Sequence, residues 1–156
     1  MIYGRYENDN PFNLNHERNT VNTDLDDYNC AGYALGIYSW YQPEDVQFQW
    51  GLPFCLKGQK RKYIKNAVNI LTRDFPDLRV IKSVKDAHPD EYVIAFRVAD
   101  NDFHFIKRGM NNVWYSKYGG GPIRRLTTAE VFSPAWKSYF GIATYKGKIT
   151  LFAKKY

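Results

Sequence analysis

The stretch DDYNCAGYALGIY, residues 26–38, decides how the chain is read, because it sets a cysteine at the start of an apolar, helix-like run and just behind two acids and an asparagine. From residue 29 to about residue 41 the apolar positions Cys30, Tyr33, Ala34, Ile37, Tyr38 and Tyr41 recur at helical spacing. Ala31 and Leu35 make the segment apolar nearly all round, which predicts a helix at the centre of a fold, closed by Pro43. Two readings of Cys30 stay open at this point. Cysteine is among the most buried residues and is at home in such a helix. A helix N-terminus also lowers a thiol's pKa and makes it a nucleophile.

The sequence around this segment predicts an α+β domain. Residues 1–28 are rich in Asn, Asp and Tyr and read as an N-terminal arm laid over the core, with residues 29–156 forming one domain. A second helix is expected from about Gln59 to Phe75, with Tyr63, Ile64, Ala67, Val68, Leu71 and Phe75 on one stripe. Lys60, Arg61, Lys62 and Lys65 lie opposite, as a solvated face or a site for an anionic ligand. Strands follow at 78–84, 92–98, 102–108 and 113–117, and their near alternation implies an antiparallel sheet with one face buried. Thr127 three residues before Glu130 is a capping-box pattern for a short helix at 128–133. FGIATY and KITLFAKK read as a last hairpin around Lys146 and Gly147.

A chain of 156 residues that is 44% hydrophobic and 17% aromatic can bury one sizeable core. No run approaches the roughly 20 apolar residues of a membrane span. The polar opening lacks the apolar stretch of a secretory signal, so synthesis for the cytosol is the expectation, with delivery by a phage or secretion system also compatible. Cys30 and Cys55 are expected to be reduced thiols rather than a bridge. The net charge of +6 favours acidic partners, among them nucleic acid, without naming one. KYGGGPIRR lacks the ending and the following helix of a phosphate loop and reads as a turn. The scattered Cys and His residues have no metal-ligand spacing, and neither a metal nor another cofactor is expected.

A thiol nucleophile needs a base. His88 lies in the polar stretch KDAHPDE and His16 in the N-terminal arm. His104 stands in mid-strand between Phe103 and Phe105, and alternation sends it to the face opposite those rings. If the two Phe side chains enter the core, His104 faces out; if they do not, it is buried facing the helix.

YNCAGYALG resembles the nucleophile motif of the NlpC/P60 branch of papain-like cysteine hydrolases, and DFHFIKRGMNNVWYSKYGGGPI resembles the family's histidine strand, turn and next strand. The resemblance spans roughly residues 26–41 and 92–123. It implies a papain-like fold with Cys30 as nucleophile, His104 as general base and a third polar residue that orients the imidazole, which falls on Ser116. Serine departs from the family's usual His, Asn or Gln, and Lys117 beside it would oppose an imidazolium, so Asp102 or Asn101 is the alternative third member. Tyr28 and Asn29 are candidates for holding an oxyanion, and Gly32 for letting a substrate or a neighbouring strand approach closely. The implied activity is cleavage or deamidation of an amide in a protein or cell-wall peptide. Two other classes remain: a papain-like fold without chemistry that acts as a phage or effector binding or inhibitory protein, and a nucleic-acid binder using its basic and aromatic residues.

Overall fold

The computed structural model describes residues 28–43, 58–109, 111–118, 123–138, 141 and 143–156. Residues 1–27 of the expected N-terminal arm, with His16, and also Cys55 and the glycine run at 119–121 lie outside the described residues.

The architecture is α+β, with a six-stranded antiparallel sheet. Its strands are β1 (Leu78–Ile81), β2 (Glu91–Val98), β3 (Phe103–Arg108), β4 (Trp114–Lys117), β5 (Ile123–Leu126) and, near the C-terminus, β8 (Thr150–Lys155). The order is β1-β8-β2-β3-β4-β5, a meander into which the last strand is inserted. Two helices lie on one face, α1 (Cys30–Ala34) and α2 (Lys60–Asp74). A shorter helix, α3 (Thr128–Val131), and a two-stranded sheet of β6 (Ala135–Lys137) and β7 (Thr144–Lys146) cover the other.

Local chemistry explains several of these elements. The Thr127 side chain accepts from the Glu130 N–H while Glu130 reaches back to the Thr127 N–H, so the expected capping box starts α3. The expected stripe on α2 buries Tyr63, Ala67 and Leu71, and Arg61, Lys62 and Lys65 are exposed. The first helix is much shorter than its periodicity predicts. Leu35 is its C-cap, Gly36 follows at φ +71, and Ile37 N–H bonds back to the Gly32 carbonyl at 3.1 Å while Gly36 N–H bonds to that of Tyr33 at 3.2 Å. That pair of bonds is a Schellman stop, which needs a residue free to take positive φ. Ile37, Tyr38 and Tyr41, expected on the helix, belong to the returning chain.

The return explains Gly32. A Cβ there would stand 1.8 Å from the Ser39 carbonyl oxygen, so the close approach this glycine allows is made by the chain's own backbone. Asn29 pins the same return: its Oδ1 accepts from Gly32 N–H at 2.9 Å and Tyr41 N–H at 3.2 Å, and its Nδ2 donates to the Tyr41 carbonyl at 2.7 Å.

Two further expectations are corrected. The inner part of the sheet is buried on both faces, since every residue of β2 is buried, while the edge strands β1 and β5 each keep an exposed residue. Ile94, Phe96, Val98, Phe103, Phe105 and Phe152 pack towards α1 and α2, whereas Val93, Ala95 and Ile106 pack with Trp136 and Tyr145 of the small sheet. The last segment is not a hairpin. β8 pairs with β1 and β2, and β7 pairs with β6. Phe152 and Ala153 point to opposite faces and are both fully buried, a demand met by an inner strand, where both edges are paired and both faces are covered.

Arg97 joins the two sheets. It is buried, with Nε donating to the Gly147 carbonyl at 3.0 Å, its terminal nitrogens to Ser133 at 3.0 Å and Pro134 at 2.7 Å, and its guanidinium over the Trp136 ring. Replacing it strands three carbonyls. Arg97→Met is expected to lower unfolding free energy by about 2–4 kcal/mol in urea denaturation. Gly32→Ala, which drives a methyl into the Ser39 backbone, is expected to cost about 3 kcal/mol or more by the same measurement.

Candidate functional site

Cys30 opens α1 with a free thiol, buried against Phe103, Phe105 and Ala31. Burial pushes the thiol up to about 12; hydrogen bonding with the Phe105 and Ala31 backbone and the charge of Lys117 act the other way, while Asp102 adds to the rise. The segment before it is equally enclosed. Tyr28 packs with Tyr33, Tyr115 and Ile123, and Asn29 is occupied by the cap and the Tyr41 return.

His104 lies elsewhere. Phe103 and Phe105 enter the core beneath α1, as one alternative required, yet His104 does not face solvent. It is buried on the opposite face, because the β6–β7 layer covers that side too. Its Nε2 is 2.7 Å from Ser116 Oγ. Its ring stacks on Tyr118 with centroids 3.9 Å apart, and it meets Tyr145 at 5.4 Å and Trp136 at 6.1 Å. Burial, with a smaller contribution from the charge of Arg124, holds the imidazole down to about 3.

The structure thus brings His104 and Ser116 together and sets Cys30 on the other side of the sheet. The described hydrogen bonds and ring contacts do not join thiol and imidazole. One electrostatic link crosses between them: the tyrosines that flank His104, Tyr118 and Tyr145, are both raised mainly by burial and secondarily by charges that include Cys30. Asp102, at the turn before β3, accepts from Tyr145 Oη at 2.6 Å and from Phe103 N–H at 2.8 Å. Burial raises its carboxyl. Asp102 therefore approaches His104 through Tyr145. Asn101 sits exposed in the same turn.

Lys117 is corrected most plainly. Strand alternation turns it away from Ser116 and onto the Cys30 face, where its Nζ donates to the Tyr28 carbonyl at 2.7 Å. The cation that acts on His104 is Arg124, whose position in β5 is paired with Ser116. Sequence reasoning missed Tyr118 and Tyr145: both lie in quoted stretches, but no spacing ties either to His104, and Tyr145 arrives from β7. The side of Lys117 was readable, because WYSK alternates.

His88 is exposed, as its polar surroundings predict. With Asp90 and Glu91 it places three ligand-type atoms within 4.8 Å of one another. Both Glu91 oxygens already accept from Arg79, at 3.0 and 2.7 Å, so a cation there would have to displace an ion pair. Among the described residues no helix is long and apolar enough to cross a membrane. Comparison with known proteins finds no matching family model, curated protein or solved structure.

His104 carries a pH signature. Its imidazole stays neutral in the fold down to about 3, whereas an unfolded chain binds that proton near 6.5. The unfolded state binds more protons between those values, so stability is lost as pH falls from 6.5 towards 3. His104→Gln is expected to flatten the dependence between pH 4.5 and 6.5, measured as urea midpoints across that range.

Proposed function

We propose that the chain is a cysteine-dependent amide hydrolase of the papain-like, NlpC/P60 kind, with Cys30 as nucleophile and His104, oriented by Ser116, as general base. One arrangement supports this reading. The thiol at the start of α1 hydrogen-bonds with the backbone of Phe105, the neighbour in β3 of a histidine held at 2.7 Å by a hydroxyl from the next strand. Thiol, imidazole and hydroxyl thus follow the chain order that the resemblance implies. Thiol and imidazole are both neutral and lie on opposite faces, so the reading requires that the two be brought together before a proton can pass between them. The substrate is an amide of a protein or cell-wall peptide, and a small basic chain suits a phage-encoded or delivered effector.

A second reading is favoured by the separation itself. A papain-like fold that binds or inhibits a partner without chemistry would tolerate a desolvated thiol and a desolvated imidazole on opposite faces.

Acylation separates the two. Incubated with p-nitrophenyl acetate, the hydrolase gains an acetyl group on Cys30 by mass spectrometry, and His104→Ala slows this by about 10²–10⁴-fold. Labelling at the same low rate in wild type and His104→Ala would sink the hydrolase and leave the binding protein.

A further inference from the structure

We propose that Arg124, on the same face as the His104–Ser116 pair, binds a carboxylate through the Nε–Nη2 edge of its guanidinium. The inference concerns the imidazole's side of the sheet and stands whether or not Cys30 is a nucleophile.

The first ground is register. Arg124 of β5 is the cross-strand partner of Ser116 in β4, so the two side chains leave the sheet on one face. On that face Ser116 Oγ lies 2.7 Å from His104 Nε2, and Tyr118 stacks on the imidazole. The charge of Arg124 acts on both His104 and Tyr118, in agreement with this placement.

The second ground is how the guanidinium uses its donors. Arg73, Arg79 and Arg97 each commit Nε to an oxygen, at 3.1, 3.0 and 3.0 Å. Arg79 shows the full use of the edge, with Nε and Nη2 gripping both carboxylate oxygens of Glu91. In Arg124, Nε is buried and has no acceptor among the described residues. Its Nη2 stands 3.6 Å from Glu130 Oε2, beyond hydrogen-bond reach. A buried donor on a charged group is costly to leave without an acceptor.

Glu130 is held away from that donor. Its Oε1 accepts from the Thr127 N–H at 3.0 Å and from Thr127 Oγ1 at 3.1 Å, which fixes the carboxylate at the start of α3. Turning it onto Nε would break the capping box.

The chemistry of the edge selects the ligand. Two parallel N–H groups in one plane match the two oxygens of a carboxylate. Phosphate fits the same fork, but the charge of Glu130 opposes a dianion more than a monoanion, which favours the carboxylate. The side chain of Arg124 is 30% exposed and that of Glu130 is 47% exposed, so a ligand approaches past Glu130 and along Nη2, and reaches Nε last.

The test follows the Arg124 Nε–H resonance of the full ¹⁵N-labelled chain by NMR while sodium acetate replaces sodium chloride at constant ionic strength. A saturable downfield shift is expected. Arg124→Lys keeps the charge and loses the fork, and it is expected to weaken acetate about tenfold, read from the backbone amides of β4 and β5. Glu130→Gln keeps the cap and removes the competing charge, and it is expected to tighten acetate about threefold. Should Arg124→Lys not fold, the wild-type titration and Glu130→Gln carry the test. Tighter binding of Gly-Gly than of acetate, lost when the dipeptide is amidated, supports a peptide terminus as the source of the carboxylate; tighter acetate supports a small free acid. The absence of a saturable shift, an acetate affinity unchanged by Arg124→Lys, or a response to phosphate alone would each overturn the proposal. Acylation of Cys30 is read separately, so the carboxylate site and the hydrolase can fail independently.

Discussion

Burial of β2 and β3 on both faces is the constraint on which the rest of this protein depends. A strand sends successive side chains to opposite sides, so a sheet enclosed by two layers sorts every neighbouring pair of residues into separate compartments. Phe103 and Phe105 go beneath α1, and His104 and Ile106 go beneath the small sheet. The same step separates Ser116 from Lys117. A strand with one wet face would have left His104 in water, able to titrate near its ordinary value. Here the second layer removes solvent, and the imidazole is held neutral to about 3.

Burial then dictates how the polar groups behave. Each must find a partner inside, because an unpartnered polar group in a dry interior costs more than the bond it would make. His104 has Ser116, Asp102 has Tyr145 and the Phe103 N–H, and Arg97 has three carbonyls. The Arg97 contacts hold the small sheet on the main one, so the cation that closes the second layer also keeps water from His104. Site chemistry and fold stability are therefore coupled through one arginine. Cys30 shows the other side of the same physics: a thiol is cheap to bury, and desolvation keeps it protonated even with the charge of Lys117 acting on it.

Much of the fold was legible in the residues. β2, β3 and β4 fall where alternation and β-branched or aromatic content place them. α2 follows its stripe, and the Thr127 and Glu130 pair marks α3. These signals are local, carried by side chains a few positions apart. The length of α1 was half legible: its apolar period continues to Tyr41, but Gly36 offers the positive φ at which the helix stops. Periodicity alone overran it, because a chain that folds back on its own helix buries apolar residues just as a longer helix would. The position of β8 was not legible. An apolar run near the C-terminus is compatible with a hairpin or a central strand, and only the presence of two other strands needing a shared neighbour chooses between them.

By itself, the sequence determined the identity and order of the chemical groups: a cysteine after an asparagine, a histidine in a strand, a serine on the strand after. It also determined that Ser116 and His104 occupy compatible positions, since antiparallel pairing of adjacent strands carries that register. Tertiary structure alone decided that Cys30 and His104 occupy opposite faces, that Tyr118 and Tyr145 lie against the imidazole, and that Lys117 reaches the start of α1. The reason is physical. Spacing along a strand says which residues share a face, but which face meets the helix and which meets a second layer is settled by burial of distant segments, through contacts that no local pattern encodes.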